Sequence, residues 1–242
     1  MNDNVFEFYH FNTLSSTNDK AKILIKGGKY NIVVVAEKQK KGRGKFNRGW
    51  SSELGGLYMT IALKEDDLDN VRYLTFIAAV SVAKTIKKIT KLNAQVKWPN
   101  DVLIDDKKVC GILTETITNK NNNYALIGIG VNVNQKKFGK NLIKKTTSLK
   151  LETNKNYDIK KLSKAIIKEF NSLYKYYTNK KYTEIIKIWK KYSHTLGRKI
   201  RAKTLSGTYV GEAVDVDSDC NLMLKLSNGK LKKIVEGDIF VV

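Results

Sequence analysis

The sequence predicts an α+β protein in which a mixed β-sheet flanked by helices is followed by a small C-terminal β-barrel. Three observations carry that expectation. Continuous β-branched runs such as residues 31–38 are short enough to be buried strands, and they alternate with long stretches of helical spacing up to about residue 193. From Gly197 the texture changes to short alternating strands separated by turn residues, the pattern of a small barrel. A length of 242 residues with 42% hydrophobic content is ample for one or two packed units. The change of texture divides them into residues 1–195 and 196–242.

Ser15 and Ser16 before residues 17–26, with Gly27 and Gly28 after them, frame a first helix by an N-cap signal and a glycine stop. Residues 31–38 and 57–63 read as strands, and the loop between them, 39–55, is the most unusual segment of the chain. Leu74, Ile77, Ala78, Val82, Ile86 and Ile89 recur near helical spacing and predict a long amphipathic helix over 71–91. Strands resume at 94–98, 102–105, 108–117 and 124–133, with residues 105–108 as a hairpin turn. A Lys-rich connector at 135–150 leads to helical stretches at 158–177 and 180–193. Residues 208–217, 221–226 and 230–242 supply strands of the barrel, and no internal repeat is visible.

The net charge is +22, which invites a nucleic-acid or acidic-partner reading. Its distribution weakens that reading. Residues 135–203 hold 21 Lys and Arg against 4 Asp and Glu, and no chemical motif lies there. A single Pro with many Lys, Asn and Ile also fits an AT-rich genome. Cys110 and Cys220 lie far apart without metal-ligand spacing, so they read as reduced thiols. The N-terminus lacks signal-peptide character and no apolar run approaches about 20 residues, so the expected location is cytoplasmic, away from membranes.

Four segments can carry chemistry. Residues 39–50, QKKGRGKFNRGW, place five cations and three glycines just after a buried strand, three of the cations lying among the glycines from Gly42 to Gly49. Glycines let backbone N–H groups approach a ligand while Arg and Lys neutralise phosphate or carboxylate oxygens, so the loop reads as an anion clamp, though not a Walker loop. Residues 97–101, KWPND, bracket the only proline with a cation, an indole, an amide and a carboxylate. Lys108 starts an otherwise apolar strand, where it either enters a pocket or merely flanks the hairpin turn. Gly128 and Gly130 lie on one strand face and leave room for a planar ligand, an arrangement that a bulge or close strand packing would share.

Together with STND at 16–19, and with KWPNDV at 97–102, KVCGILTE at 108–115 and GIGVNVN at 128–134, the loop motif resembles, in order and spacing, the motif series of biotin protein ligases. The match covers essentially the whole chain. The resemblance implies a catalytic domain like that of class II aminoacyl-tRNA synthetases over residues 1–195 and a Src-homology-3-like barrel over 196–242. It implies an enzyme that joins biotin to ATP with release of pyrophosphate. Biotin then passes from biotinyl-5′-AMP to one lysine of a biotin carboxyl carrier domain of acetyl-CoA carboxylase. ATP and magnesium are the implied cofactors. By the same resemblance Ser16, Thr17, Asn18 and Gln39 line the biotin end, Arg43, Gly44 and Lys45 close over carboxylate and phosphate, and Lys108 holds the carboxylate or α-phosphate oxygen. Gly111 walls the valeryl tunnel. Arg48, Asn100 and Asn132 join Arg43 and Lys45 at ATP, and Asp101 sits on the magnesium side, with a role in deprotonating the incoming lysine. Arg43, Asp101 and Lys108 are thus the catalytic candidates. Trp50 is expected to pack beneath the loop and Cys110 to be packing only.

Two departures stand out against the usual family loop, GRGRxGRxW. Lys45 replaces an Arg and loses the planar fork, and Asn47 replaces a Gly at a position that Asn can occupy with positive φ. Some biotin ligases carry an added helix-turn-helix domain and act as repressors; with the first motif sixteen residues in, the expectation here is a monofunctional ligase without specific DNA binding. Monomer and homodimer both stay open. The competing readings are a lipoate or octanoate ligase or transferase of the same fold, whose glycine triplet and His-containing strand are absent here, and a basic nucleic-acid-binding protein, which leaves the KWPND and KVCGIL segments unexplained.

Overall fold

The structure, a computed structural model, describes residues 6–139, 142 and 145–242; residues 1–5 and four positions of the Lys-rich connector lie outside the described residues. Strand β1 (Glu7–Leu14), helix α1 (Thr17–Lys26) and strand β2 (Ile32–Gln39) form a parallel crossover, with Glu7 opposite Ile32 and Leu14 opposite Gln39. β1 has no counterpart in the sequence reading. It is an edge strand whose residues are exposed or half-buried, so it shows neither an apolar run nor clean alternation.

β3 (Gly56–Glu65), β4 (Ala94–Lys97), β5 (Asp101–Ile104), β6 (Lys107–Asn119) and β7 (Asn122–Asn132) complete a seven-stranded sheet in the order β1-β2-β3-β7-β6-β5-β4, all antiparallel beyond β2. β2 is continuously apolar because both of its faces are covered. Val33 and Val35 enter the main core, whereas Ile32 and Val34 pack with Ala21 and Ile25 of α1. Helices α2 (Arg72–Thr90), α4 (Ile159–Thr178) and α5 (Tyr182–Tyr192) build the layer over the main core, with Phe76 stacked on Trp189 at 4.5 Å. Ile89 departs from its expected place on the buried stripe of α2. It is 42% exposed, in the last turn of the helix, two residues before the left-handed cap at Lys91. The short α3 (Leu149–Thr153) is capped by Ser148 and α4 by Asp158, each accepting a backbone N–H.

β8 (Lys199–Thr204), β9 (Gly207–Val216), β10 (Leu222–Leu226), β11 (Leu231–Ile234) and β12 (Asp238–Val241) form a second, antiparallel sheet in the order β11-β10-β9-β8-β12. The expected barrel is therefore a five-stranded sheet, and among the described residues no ladder joins β11 to β12. Residues of β12 instead line the cavity described below. Ile200, Ala213, Leu222 and Ile239 belong to the same core cluster as α2, so the apolar interior is continuous between the sheets. Trp98, 2% exposed, stitches them together: its Nε1 donates to the Cys220 carbonyl at 2.9 Å and its backbone N–H donates to Thr195 Oγ1 at 3.0 Å.

One buried ionisable group stands apart from this apolar interior. Glu65 at the end of β3 is 8% exposed and accepts a hydrogen bond from the Tyr174 hydroxyl at 3.2 Å. Burial pushes its carboxyl up to about 7, and the neighbouring Asp66 and Asp67 add to the rise. A folded-state value above the unfolded one means that its stabilising contribution is complete in acid and is lost as pH rises through about 7. Replacement by Glu65→Gln, which keeps the acceptor, should leave stability less dependent on pH. Between pH 5 and pH 8 the wild type should lose on the order of 2–3 kcal/mol relative to the variant in denaturant unfolding.

Candidate active site

The loop after β2 folds back on itself. Trp50 N–H donates to the Gly42 carbonyl at 2.9 Å, Gly44 N–H donates to the Arg48 carbonyl at 2.7 Å, and Arg43 bridges Gly49. Glycine is required at position 42, where a Cβ would fall 2.4 Å from Ser52 Oγ and 2.5 Å from the Trp50 carbonyl oxygen. Phe46 (φ 56°) and Asn47 (φ 55°) make the tip in the left-handed region. Asn is among the residues that tolerate that region, as the loop sequence implies, whereas Phe at positive φ is the costlier of the two.

This loop roofs a cavity of about 370 Å³. Every residue assigned to binding or catalysis from the motifs lines it: Ser16, Thr17 and Asn18 at the start of α1, Gln39 at the end of β2, Arg43, Gly44, Lys45 and Arg48 from the loop, Asn100 just before β5 and Asp101 at its start, Lys108 and Gly111 on β6, and Asn132 on β7. One end is a closed polar network. Thr17 donates through its backbone N–H and hydroxyl to Gln39 Oε1 at 2.8 and 3.1 Å, and Gln39 Nε2 donates to Ser52 Oγ at 2.9 Å. Thr60 Oγ1 lies 2.6 Å from Asn18 Oδ1, and Asn18 Nδ2 donates to Glu115 at 2.9 Å.

The other end is charged. The bulge between Val102 and Leu103 in the β5–β6 ladder leaves Val109 unpaired and aims Lys108 inward, 2.7 Å from Asp101 Oδ1 and 5.2 Å from the Trp50 ring centroid. Lys45 and Lys97 are half-buried, and burial pushes both ammonium groups below the ordinary lysine value despite Asp101 and Asp238 nearby. Desolvated cations of this kind gain most from an incoming anion. Lys97, Asp238 and Phe240 are wall residues that sequence reasoning assigned no role. Lys97 stood in a conspicuous motif, but nothing in the chain announced that β12, about 190 residues from the loop, would supply a wall.

Several contacts differ from those expected. Arg43 is engaged by Asp19 in a bidentate pair at 2.8 and 2.7 Å, and Arg48 grips Asp238 through both guanidinium nitrogens, so each fork is occupied by a carboxylate. Asn100 Nδ2 donates to the Ile112 carbonyl at 2.6 Å and Asn132 Nδ2 to the Thr147 carbonyl at 3.0 Å, so both amide nitrogens hold the wall in place. Trp50 lies beneath the loop as expected, and there it also walls the cavity. Its ring enters the cavity against Gly111 and Gly130, where a Cβ would lie 2.9 and 2.5 Å from ring atoms, and its Nε1 has no partner. Cys110 is fully buried with its thiol pushed up by desolvation, in keeping with a packing role. Among the described residues no three His, Cys, Asp or Glu side chains gather as a metal cage, and no helix is long and apolar enough to cross a membrane.

A polar end joined to a partly desolvated cationic end defines a binding site of the class suited to anionic small molecules. Comparison with known proteins gives that class its family. The biotin/lipoate A/B protein ligase family matches residues 10–132, and the biotin protein ligase C-terminal domain matches residues 195–242. The bifunctional ligase/repressor BirA of Bacillus subtilis is 36% identical over 237 residues, which covers 96% of this chain and 72% of that protein. Biotin--[acetyl-CoA-carboxylase] ligase of Paracoccus denitrificans is 34% identical over 122 residues, covering 49% of this chain and 51% of that one. The biotin protein ligase of Aquifex aeolicus, solved in complex with biotin and ATP, superposes with a TM-score of 0.85 at 27% identity and covers 98% of each chain. The chain belongs to the biotin/lipoate A/B protein ligase family, and its C-terminal sheet marks the biotin protein ligase branch.

The polar end has little slack. A Cβ at Gly128 would fall 2.6 Å from Asn18 Oδ1 and 3.2 Å from the Leu113 carbonyl oxygen, whereas at Gly49 it would meet nothing within 4 Å. Gly128→Ala should therefore cost about 1–3 kcal/mol in denaturant unfolding, while Gly49→Ala should stay within about 0.5 kcal/mol of wild type.

Proposed function

We propose that this enzyme is an ATP-dependent biotin protein ligase that activates biotin as biotinyl-5′-AMP and passes it to a lysine of a biotin carboxyl carrier domain. The observation that carries the reading is the single cavity in which a neutral polar end faces Lys45, Lys97 and Lys108. That arrangement suits a substrate with a uncharged polar head and a carboxylate tail, laid against a nucleotide triphosphate. The relative from Aquifex aeolicus holds that pair of ligands. Residues 1–195 serve as the ligase domain and 196–242 as a second domain that closes the nucleotide half.

In the first step a carboxylate oxygen attacks the α-phosphorus and pyrophosphate leaves with the bonding electrons. Two anions must approach, so cations have to offset their repulsion and the charge that develops. Lys108, released from Asp101 as the carboxylate arrives, neutralises the reacting oxygens. Lys45 and Lys97 recover on the polyphosphate what burial costs them. Ser16, Thr17, Asn18 and Gln39 hold the head group. Trp50 offers a flat face beside Gly111 and Gly130 on which a base can rest, and Asn132 and Asn100 keep the wall under it in register. Asp101 is the carboxylate that would face a magnesium ion carried on the nucleotide phosphates, where the ion would offset their charge. In the second step a neutral lysine amine attacks the acyl carbon, AMP departs, and Asp101 takes the amine proton. The proposal covers ligation alone; the Bacillus subtilis relative, named a ligase and repressor, has length beyond the matched part.

Incubation with biotin, magnesium and α-labelled ATP should yield labelled biotinyl-AMP. Its absence, with salt-sensitive DNA binding in its place, would sink the reading. Lys108→Ala should lower the single-turnover adenylation rate by about 100-fold or more without loss of fold, and activity within a few-fold of wild type would remove Lys108 from its role. Arg43→Ala should raise the rate at which adenylate escapes to solvent, because the loop shields a mixed anhydride from water. Equal leakage from both proteins would count against that role.

A further inference from the structure

The Lys108 hairpin is held from outside the cavity. Its turn residues Asp105 (φ 46°) and Asp106 (φ 63°) are both left-handed, and Lys108 follows two residues later. Asp106 accepts a hydrogen bond from His194 Nε2 and lies 3.1 Å from Arg198 Nη1. His194 is 4% exposed and is itself fixed, since its backbone N–H donates to the Val96 carbonyl at 2.8 Å beside the Val96–Ser193 bridge. Burial holds the imidazole below its ordinary value, and the hydrogen bond keeps the Asp106 carboxyl low, so the pair is a neutral Nε2–H donor on a carboxylate. Nδ1 has no hydrogen-bond partner among the described residues, so Asp106 is the side chain that orients the ring by hydrogen bonding there. Arg198 belongs to the strap into the second sheet: its carbonyl accepts from Ala213, and the adjacent Gly197 N–H donates to the Ala213 carbonyl.

We propose that Asp106, His194 and Arg198 form a positioning clamp that registers the Lys108 hairpin against β4 and against the sheet carrying the Asp238 and Phe240 wall. This rests on the ligase reading above. None of the three lines the cavity, so they act through Lys108 and through the placement of the nucleotide wall. Two left-handed residues are the ordinary backbone of a tight hairpin turn, so the turn and the β5–β6 ladder fix the hairpin's own shape, and the Lys108 backbone pairs with Lys145 and Thr147. What the clamp adds, from a segment about 90 residues away, is the seating of that hairpin against β4 and the second sheet. Misplacement of a reacting group by about 1 Å is enough to cost 100-fold in rate, while the head-group end, set by α1 and β2, does not depend on this hairpin.

The test is single-turnover adenylation with biotin and magnesium-ATP on the full chain, with biotin affinity measured in parallel. Asp106→Ala alters an exposed turn residue and is expected to fold. Its adenylation rate should fall about 10- to 100-fold with biotin affinity within about threefold of parent. At position 194 the side-chain nitrogen of Gln overlies Nε2, whereas that of Asn overlies Nδ1. His194→Gln should therefore restore most of the rate and His194→Asn should not, at a temperature where thermal unfolding shows every variant folded. A rate within twofold of parent in Asp106→Ala overturns the proposal. So does a Gln variant as slow as the Asn variant. If His194→Asn does not fold, the Asp106→Ala result decides alone. A parent that forms no adenylate fails the ligase reading instead, and is recognised by that failure.

Discussion

Like charges crowded into one partly desolvated cavity are the constraint around which this protein is built. Lys45, Lys97, Arg48 and Lys108 converge from three segments of the chain, and burial disfavours the charged form of two of them. Carboxylates hold the site cations together: Asp101 at Lys108, Asp238 at Arg48 and Asp19 at Arg43. Removing one partner of such a pair leaves its mate unbalanced, which is why the carboxylates stand on rigid elements. Asp238 opens β12, Asp101 opens β5, and Asp19 sits in the first turn of α1. The same pairing prepares the site for exchange, because an anionic substrate can replace a carboxylate without moving the cation far.

Topology explains how distant segments meet there. The order β3-β7-β6-β5-β4 sets Gly130 opposite Gly111 on neighbouring strands. The missing side chains at these adjacent positions make the slot that Trp50 enters. Across the slot, the second sheet is fastened to the first at Trp98, at the Asp106 cluster and at Arg48. Each fastening lies within a segment that also contributes to the cavity or within two residues of one that does. The C-terminal sheet is consequently part of the site, and its core is the same core that carries α2.

Much of this is legible in the sequence alone. Every motif residue assigned to binding lines the cavity, because those motifs combine residue types that only a ligand requires together: glycines for approach, cations for charge, a proline-locked turn between them. Elements buried on one or both faces were also readable, since β2 and α2 show their periods directly. β1 was not, because an edge strand with few buried residues has no period to display. The partners of the site cations were equally hidden. Asp19 follows the first motif yet looks like an ordinary first-turn acid, and Asp238 lies among alternating barrel residues with nothing to set it apart. Hydrogen bonds by Asn100 and Asn132 to backbone carbonyls could not be foreseen either, since an Asn that binds a ligand and one that props a strand occupy the same sequence pattern.

The net charge of +22 divides into two populations with different physics. Cations in the cavity are few, partly desolvated and placed to within a hydrogen bond of their partners, so they act at short range and resist screening. The excess between residues 135 and 203 is of another kind. Lys160, Lys161, Lys168 and Lys181 are exposed on or beside α4 and α5, whose apolar faces are turned to α2. At physiological ionic strength their field decays over about 8 Å, too short to alter a reaction inside the protein but long enough to bias the approach of an acidic partner. Under the two-step reaction proposed above, that separation has a mechanistic meaning. The first step would be governed by the position of a handful of ion pairs in the cavity, and the second, which would admit another protein, would be the step open to influence from the surface charge.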